Sequence, residues 1–132
     1  MRFNHVTILV TDFEHSKAFY RTLGLIQIVD SPPRYARFRF PDGDATFSIE
    51  VVPGVTPATA STEIFFECDD VDATAAEAKS RGLALTQEPT DMHYLWREAH
   101  LRDPDGYDIR LYSDKTNARL EPPWKIKEDA AN

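Results

Sequence analysis

The chain repeats itself. The pair Gly24-Leu25 recurs as Gly82-Leu83, 58 positions on, and the same offset lays Asp12 on Asp70 and His5 on Glu63 without a gap. Late in each half, Ile49-Glu50-Val51 is matched by Ile109-Arg110-Leu111 at an offset of 60. In a chain of 132 residues, a repeat of this period means two copies of one supersecondary unit. Neither copy is large enough to bury its apolar face alone, so the two must share a core.

Each half reads strand, helix, strand, strand, strand. Phe3 to Val10 alternates, with Val6, Ile8 and Val10 on one face and His5, Thr7 and Leu9 on the other. Asp12 is placed to cap a helix from Phe13 to Leu23 that Gly24 ends. Leu25–Val29, Arg34–Phe40 and Ala45–Val52 are predicted strands, separated by turns at Pro32-Pro33 and Pro41-Asp42-Gly43. Residues 53–62, small, polar and proline-bearing, read as a linker. In the second half Glu63–Cys68 is a strand, and Asp70 or Asp72 caps a helix running to Arg81, which Gly82 ends. Leu83–Gln87, Trp96–Arg102 and Tyr107–Tyr112 follow as strands, the last two joined by the turn Asp103-Pro104-Asp105-Gly106. The expected organisation is a first βαβββ module over 1–52, a linker over 53–62, a second module over 63–112 and a tail over 113–132 with a frayed, charged end. The fold class is α+β: two modules forming an open, curved, eight-stranded mixed sheet around a cleft.

A helix covers one face of each module's sheet and leaves the other bare. The covered sets are Val6, Ile8 and Val10; Phe47, Ile49 and Val51; Ile64, Phe66 and Cys68; and Ile109 and Leu111. The bare sets carry His5, then Ser48 and Glu50, then Glu63 and Glu67, then Asp108 and Arg110. The repeat makes His5 with Glu63, and Glu50 with Arg110, two related pairs aimed at the cleft. Alternation alone is equally consistent with an ordinary solvated sheet face. Phe38, Phe40, Tyr94 and Trp96 are placed either to line an apolar pocket or to fill the core.

Composition narrows the partners. With 22 acidic against 15 basic residues the formal net charge is -7, so neither nucleic acid nor an anionic membrane is expected to bind. No apolar run approaches the ~18 residues of a membrane span, and a strand starting at Phe3 is read as leaving no room for a leader. One cysteine, Cys68, excludes an intrachain disulfide framework and fits a reducing, cytoplasmic setting. No glycine-rich nucleotide loop or serine nucleophile elbow is present.

Four stretches carry a resemblance: His5-Val-Thr-Ile-Leu-Val-Thr-Asp12, Phe19-Tyr-Arg-Thr-Leu-Gly-Leu25, Cys68-Asp-Asp-Val-Asp72 and Arg102-Asp-Pro-Asp-Gly106. Over residues 3–112 the chain resembles the vicinal oxygen chelate superfamily of glyoxalase I, bleomycin-resistance proteins, fosfomycin-resistance enzymes and extradiol dioxygenases. Its tail, Asn117 to Lys125, is similar to that of a glyoxalase-like subgroup. The resemblance implies a small-molecule ligand, a twofold homodimer with each cleft built from both chains, and, in the enzymes, a divalent metal in the cleft. By position the metal ligands fall on His5, Glu50, Glu63 and Arg110. The first two match the family, Glu63 is an acceptable substitute, and Arg110 is not, because a guanidinium offers no lone pair and carries its own positive charge.

Two readings follow. In the first, Arg110 bridges Glu50 and Glu63 beside His5, and the cleft, with Trp96 near it, binds a small molecule without a metal, as bleomycin-resistance proteins do. In the second, Arg110 swings away and His5, Glu50 and Glu63 hold Mn, Fe, Ni or Zn in a lyase or isomerase of glyoxalase type. Glu50 and His93 are then the candidate acid–base groups, His93 matching the acid–base histidine of the ring-cleaving dioxygenases. In that dioxygenase pattern His100 stands where tyrosine is expected and Arg110 where glutamate is, which disfavours ring cleavage. A regulatory domain with a vestigial cleft is the third reading.

Overall fold

The computed structural model describes residues 1–127; the extreme charged end of the tail, 128–132, lies outside the described residues. The first half comprises β1 (His5–Leu9), α1 (Phe13–Leu23), β2 (Ile26–Ser31), β3 (Tyr35–Arg39) and β4 (Thr46–Glu50). The second comprises β5 (Glu63–Glu67), α2 (Val71–Ser80), β6 (Leu85–Asp91), β7 (Arg97–Arg102) and β8 (Asp108–Ser113). The eight strands form two mixed four-stranded sheets, ordered β1-β4-β3-β2 and β5-β8-β7-β6. In each, the first strand pairs parallel to the fourth and the remaining pairs are antiparallel, so the architecture repeats as the sequence does.

Local chemistry sets the boundaries. Asp12 accepts the His15 amide at 3.1 Å and caps α1. Gly24 closes that helix at φ 119°, a conformation that side-chain-bearing residues rarely adopt. Asp70, rather than Asp72, caps α2 by accepting the Ala73 amide at 3.2 Å. Asp72 sits in the first turn and takes Arg97 at 2.8 Å, a hydrogen bond that lowers its pKa. Strand β6 is longer than expected and carries two register shifts, one of them spanning Pro89. A residue without an amide hydrogen is tolerated there because β6 is an edge strand. The linker holds one 3-10 turn, Thr59–Ser61. The tail, aperiodic in sequence, is organised by side-chain-to-backbone bonding: the Asp114 carboxylate accepts the Ala118 and Arg119 amides at 2.7 and 2.9 Å. No helix among the described residues is long and apolar enough to cross a membrane.

The core is shared. Ile8, Phe47 and Ile49 from the first half and Val71, Leu101, Ile109 and Leu111 from the second belong to one buried cluster. Phe38 is core, and Phe40 packs half-buried against it. Phe47 and Phe66 meet edge to face at 5.7 Å across the two halves. Polar contacts between the halves concentrate on the β7–β8 turn. Tyr20 Oη, fully buried, donates to Asp103 Oδ2 at 2.7 Å. Tyr107 Oη donates to the Leu9 carbonyl at 2.7 Å, and the Thr11 hydroxyl donates to Asp105 at 2.5 Å.

Asp103 gives this joint a pH dependence. Burial raises its carboxyl pKa, an effect opposed by the Tyr20 hydroxyl and the Tyr107 and Asp105 amides that donate to it. A carboxyl that titrates higher folded than unfolded contributes stability that is complete below the unfolded value, about 4, and is lost as pH rises through the folded value. Asp103→Asn keeps an oxygen for both amides and removes the buried charge. Urea midpoints across pH 3–8 are expected to fall less with rising pH in Asp103→Asn than in the wild type.

Candidate functional site

The helix-distal faces of the two sheets carry different chemistry. On the first sheet, His5 is exposed and surrounded by hydroxyls. Its Nδ1 lies 2.6 Å from Thr46 Oγ1, and its Nε2 lies 3.1 Å from Thr7 Oγ1 and 3.4 Å from Ser48 Oγ. The pairing register accounts for this, since His5 sits opposite Thr46 and Thr7 opposite Ser48. Ser48 is fully buried and bonds Tyr35 Oη at 2.7 Å; Arg37 Nε donates to that same phenol at 2.9 Å. Glu50, half-buried at the end of β4, pairs in register with Leu9 and Tyr35, and its side chain has no ion pair among the described residues.

The second sheet's face is charged and aromatic. Register puts Phe65, Arg110 and His100 in one row across β5, β8 and β7, and Glu67, Tyr112 and Glu98 in the next. Arg110 Nη1 lies 3.1 Å from Glu63 and 3.6 Å from Glu98, and its Nη2 lies 2.9 Å from Asp108. Partial burial works against the guanidinium charge, but the carboxylates of Asp108, Glu63 and Glu98 outweigh it and push its pKa up. The same guanidinium lies over the Phe65 ring, 5.5 Å from its centroid. Trp96 stacks on Tyr112 at 4.3 Å and 23°, with Phe65 edge-on to both rings.

Glu98 is the residue that reading the sequence passed over. It is fully buried, accepts from Tyr94 Oη, and lies 2.7 Å from His100 Nε2. Burial and then the bond to Glu98 push the Tyr94 phenol up to about 12, so it stays protonated and donating. The signal was present in β7, where Ala99 and Leu101 are the buried partners of an alternation that leaves Glu98 and His100 on the other face. His93 is exposed in the β6–β7 loop with its ring 5.0 Å from that of Tyr94. Cys68 is half-buried, and burial raises its thiol pKa, as suits an unreactive packing residue.

The structure therefore brings Glu63, Arg110 and Trp96 to one sheet face and sets His5 and Glu50 on the other sheet, although His5 and Glu63 both line a cavity between the halves that neither Glu50 nor Arg110 reaches. Arg110 pairs with Glu63, Asp108 and Glu98 rather than bridging Glu50 and Glu63, because Asp108 and Glu98 are its neighbours on the same sheet. No group of three His, Cys, Asp or Glu side chains among the described residues could hold a metal ion. The divalent-metal set implied by the family does not fit the side chains of a single chain: one position is a cation already held by three carboxylates, and His5 is engaged by hydroxyls.

Each βαβββ half thus has one sheet face covered by its helix and one polar face. The pattern of the Glyoxalase/Bleomycin resistance protein/Dioxygenase superfamily matches residues 2–111, and the chain belongs to that superfamily. It is 26% identical over 121 residues to the uncharacterized protein YaeR of Escherichia coli strain K12, covering 83% of this chain and 93% of that one. Among solved structures it is similar to TnmS3, an antibiotic binding protein from Streptomyces sp. CB03234, with a TM-score of 0.73 and 28% identity over 86% of this chain and 96% of the other. It shares the fold of a bleomycin resistance determinant encoded on the transposon Tn5, with a TM-score of 0.71 and 22% identity over 87% and 99% of the two chains.

Proposed function

We propose that this protein is a cytoplasmic homodimer that binds a small aromatic molecule on the second sheet's face, without a metal. The observation that carries the reading is the aromatic floor of Phe65, Trp96 and Tyr112 beside Arg110. Phe65 is 37% exposed and Trp96 is half-buried over the buried Tyr112, so the floor leaves apolar ring surface open to a ligand. The likeness to an antibiotic binding protein supports the same reading. In the dimer, His5 and Glu50 of one chain and the aromatic floor of its partner form opposite walls of each cleft.

The test uses the two tryptophans, Trp96 and Trp124. With Trp124→Phe as background, bleomycin and a panel of planar aromatics are titrated while Trp96 emission is followed. Saturable quenching by at least one probe is expected, unchanged by chelator. In calorimetry, Trp96→Ala should weaken that probe about tenfold or more, the scale of a lost aromatic contact. Sedimentation at micromolar concentration should give twice the chain mass. Binding that requires a divalent ion, or that survives Trp96→Ala at full strength, overturns the reading.

A further inference from the structure

The charges on the second sheet's face specify the ligand further. Its rows hold four carboxylates, Glu63, Glu67, Glu98 and Asp108, against two guanidinium groups, Arg102 and Arg110. Arg110 is committed to Glu63, Asp108 and Glu98, and Arg102 donates to the Gly106 carbonyl at 3.0 Å. Glu67 is exposed and has no ion-pair partner among the described residues. It stands in register with Tyr112, the ring that carries Trp96, and after burial its charge is the next cause raising that phenol's pKa. Arg119 acts on the same phenol with the opposite sign and less strongly, so the larger charge at the floor's margin is a carboxylate.

The floor already seats a cation. Arg110 lies over Phe65 as a positively charged ligand group would lie over a neighbouring ring, and ring quadrupoles favour such placement. An anionic ligand would meet Glu67, and the Arg110 guanidinium that could offset it is already committed to three carboxylates. The chain's net charge of -7 adds a long-range field that draws cations toward the face.

We propose that the ligand class recognised here is a planar organic cation, its ring stacked on Trp96 and its charge held by Glu67. This rests on the aromatic-binding reading above and adds the sign of the charge. The stacking surface alone would accept neutral and cationic rings alike; Glu67 is the feature that discriminates.

N-methylacridinium and acridine, which share ring size and differ in permanent charge, provide the test at pH 8, where acridine is neutral. Each is titrated into full-length Trp124→Phe protein at low salt while Trp96 emission is followed. The cation is expected to bind at least tenfold tighter. The gap should narrow in 0.5 M salt, which screens exposed charge, and shrink severalfold in Glu67→Gln, an exposed substitution that leaves the core untouched. Equal affinities, or a gap indifferent to Glu67→Gln, overturn the cation proposal while leaving aromatic binding standing. Binding of neither probe overturns the cation proposal, and the bleomycin and aromatic panel then decides the aromatic reading separately.

Discussion

Arg110→Glu is expected to depend on divalent ions for stability, to which the wild type, on the metal-free reading, is expected to be indifferent. The wild-type guanidinium is the counter-charge for Glu63, Asp108 and the fully buried Glu98. Removing one partner of a buried, charge-paired group costs about 3 kcal/mol or more, because the remaining charge is left uncompensated in a low dielectric. The variant also places a fourth carboxylate among these three, next to the imidazole of His100 in the facing strand. Like charges so crowded gain by recruiting a cation. In chelator the variant should therefore unfold at lower temperature than the wild type. With Mn, Ni or Zn at a hundredfold excess over the dissociation constant it should recover about 2.7 kcal/mol. Thermal unfolding of both proteins with chelator and with each ion is the measurement. If the wild type gains stability from one of these ions and His5→Ala abolishes the gain, the metal-free reading is wrong and the metal-dependent lyase or isomerase reading replaces it. If neither protein responds, the carboxylates around position 110 do not converge as described.

Tyr20→Ala should be the most damaging single change outside that face. Tyr20 is fully buried, packs against Phe19, Phe38 and Phe47, and ties α1 to the β7–β8 turn through Asp103. Truncating a buried aromatic costs about 3–5 kcal/mol through lost transfer free energy and the cavity left behind. That is a large share of the roughly 5–15 kcal/mol by which domains are stable. The substitution also leaves Asp103 without its side-chain donor. Tyr20→Phe isolates the hydroxyl and should cost about 1–3 kcal/mol, the range for one unmet buried polar group. Urea denaturation of the two variants separates packing from hydrogen bonding. An alanine variant within about 1 kcal/mol of the phenylalanine variant would mean that the ring contributes little to holding the halves together.

The repeat made most of the architecture legible from the chain alone. Asp12, Gly24, Asp70 and the Pro-Asp-Gly turns act through contacts a few residues away, so their positions translate directly into element boundaries. Alternation placed Glu63 and Arg110 on one face because a strand's period of two survives any tertiary context. It could not say which strand of a sheet lies beside which residue of another. Arg110 meets Glu98 and Asp108 because β7 and β8 pair in that register, a non-local fact that no local spacing encodes. Glu98 was missed for a related reason. A glutamate between Arg97 and Ala99 looks like solvated surface until Tyr94, His100 and Arg110 are seen to close around it. The tail escaped because its order comes from Asp114 capping amides four and five residues on, which leaves no hydrophobic period to read.

The two Pro-Asp-Gly turns play reciprocal parts. The residue before the first turn, Phe40, reaches into the second half and meets Phe66 at 5.1 Å. The residue before the second turn, Asp103, reaches into the first half and takes the Tyr20 hydroxyl. The two turns therefore supply one oily joint, on β5, and one ionisable joint, on α1. The two respond to different variables: apolar association weakens on cooling, whereas the buried carboxyl weakens the fold as pH rises. A chain built from two halves of one topology thus has two seams that yield to different stresses, and neither half holds on its own the partner its turn requires.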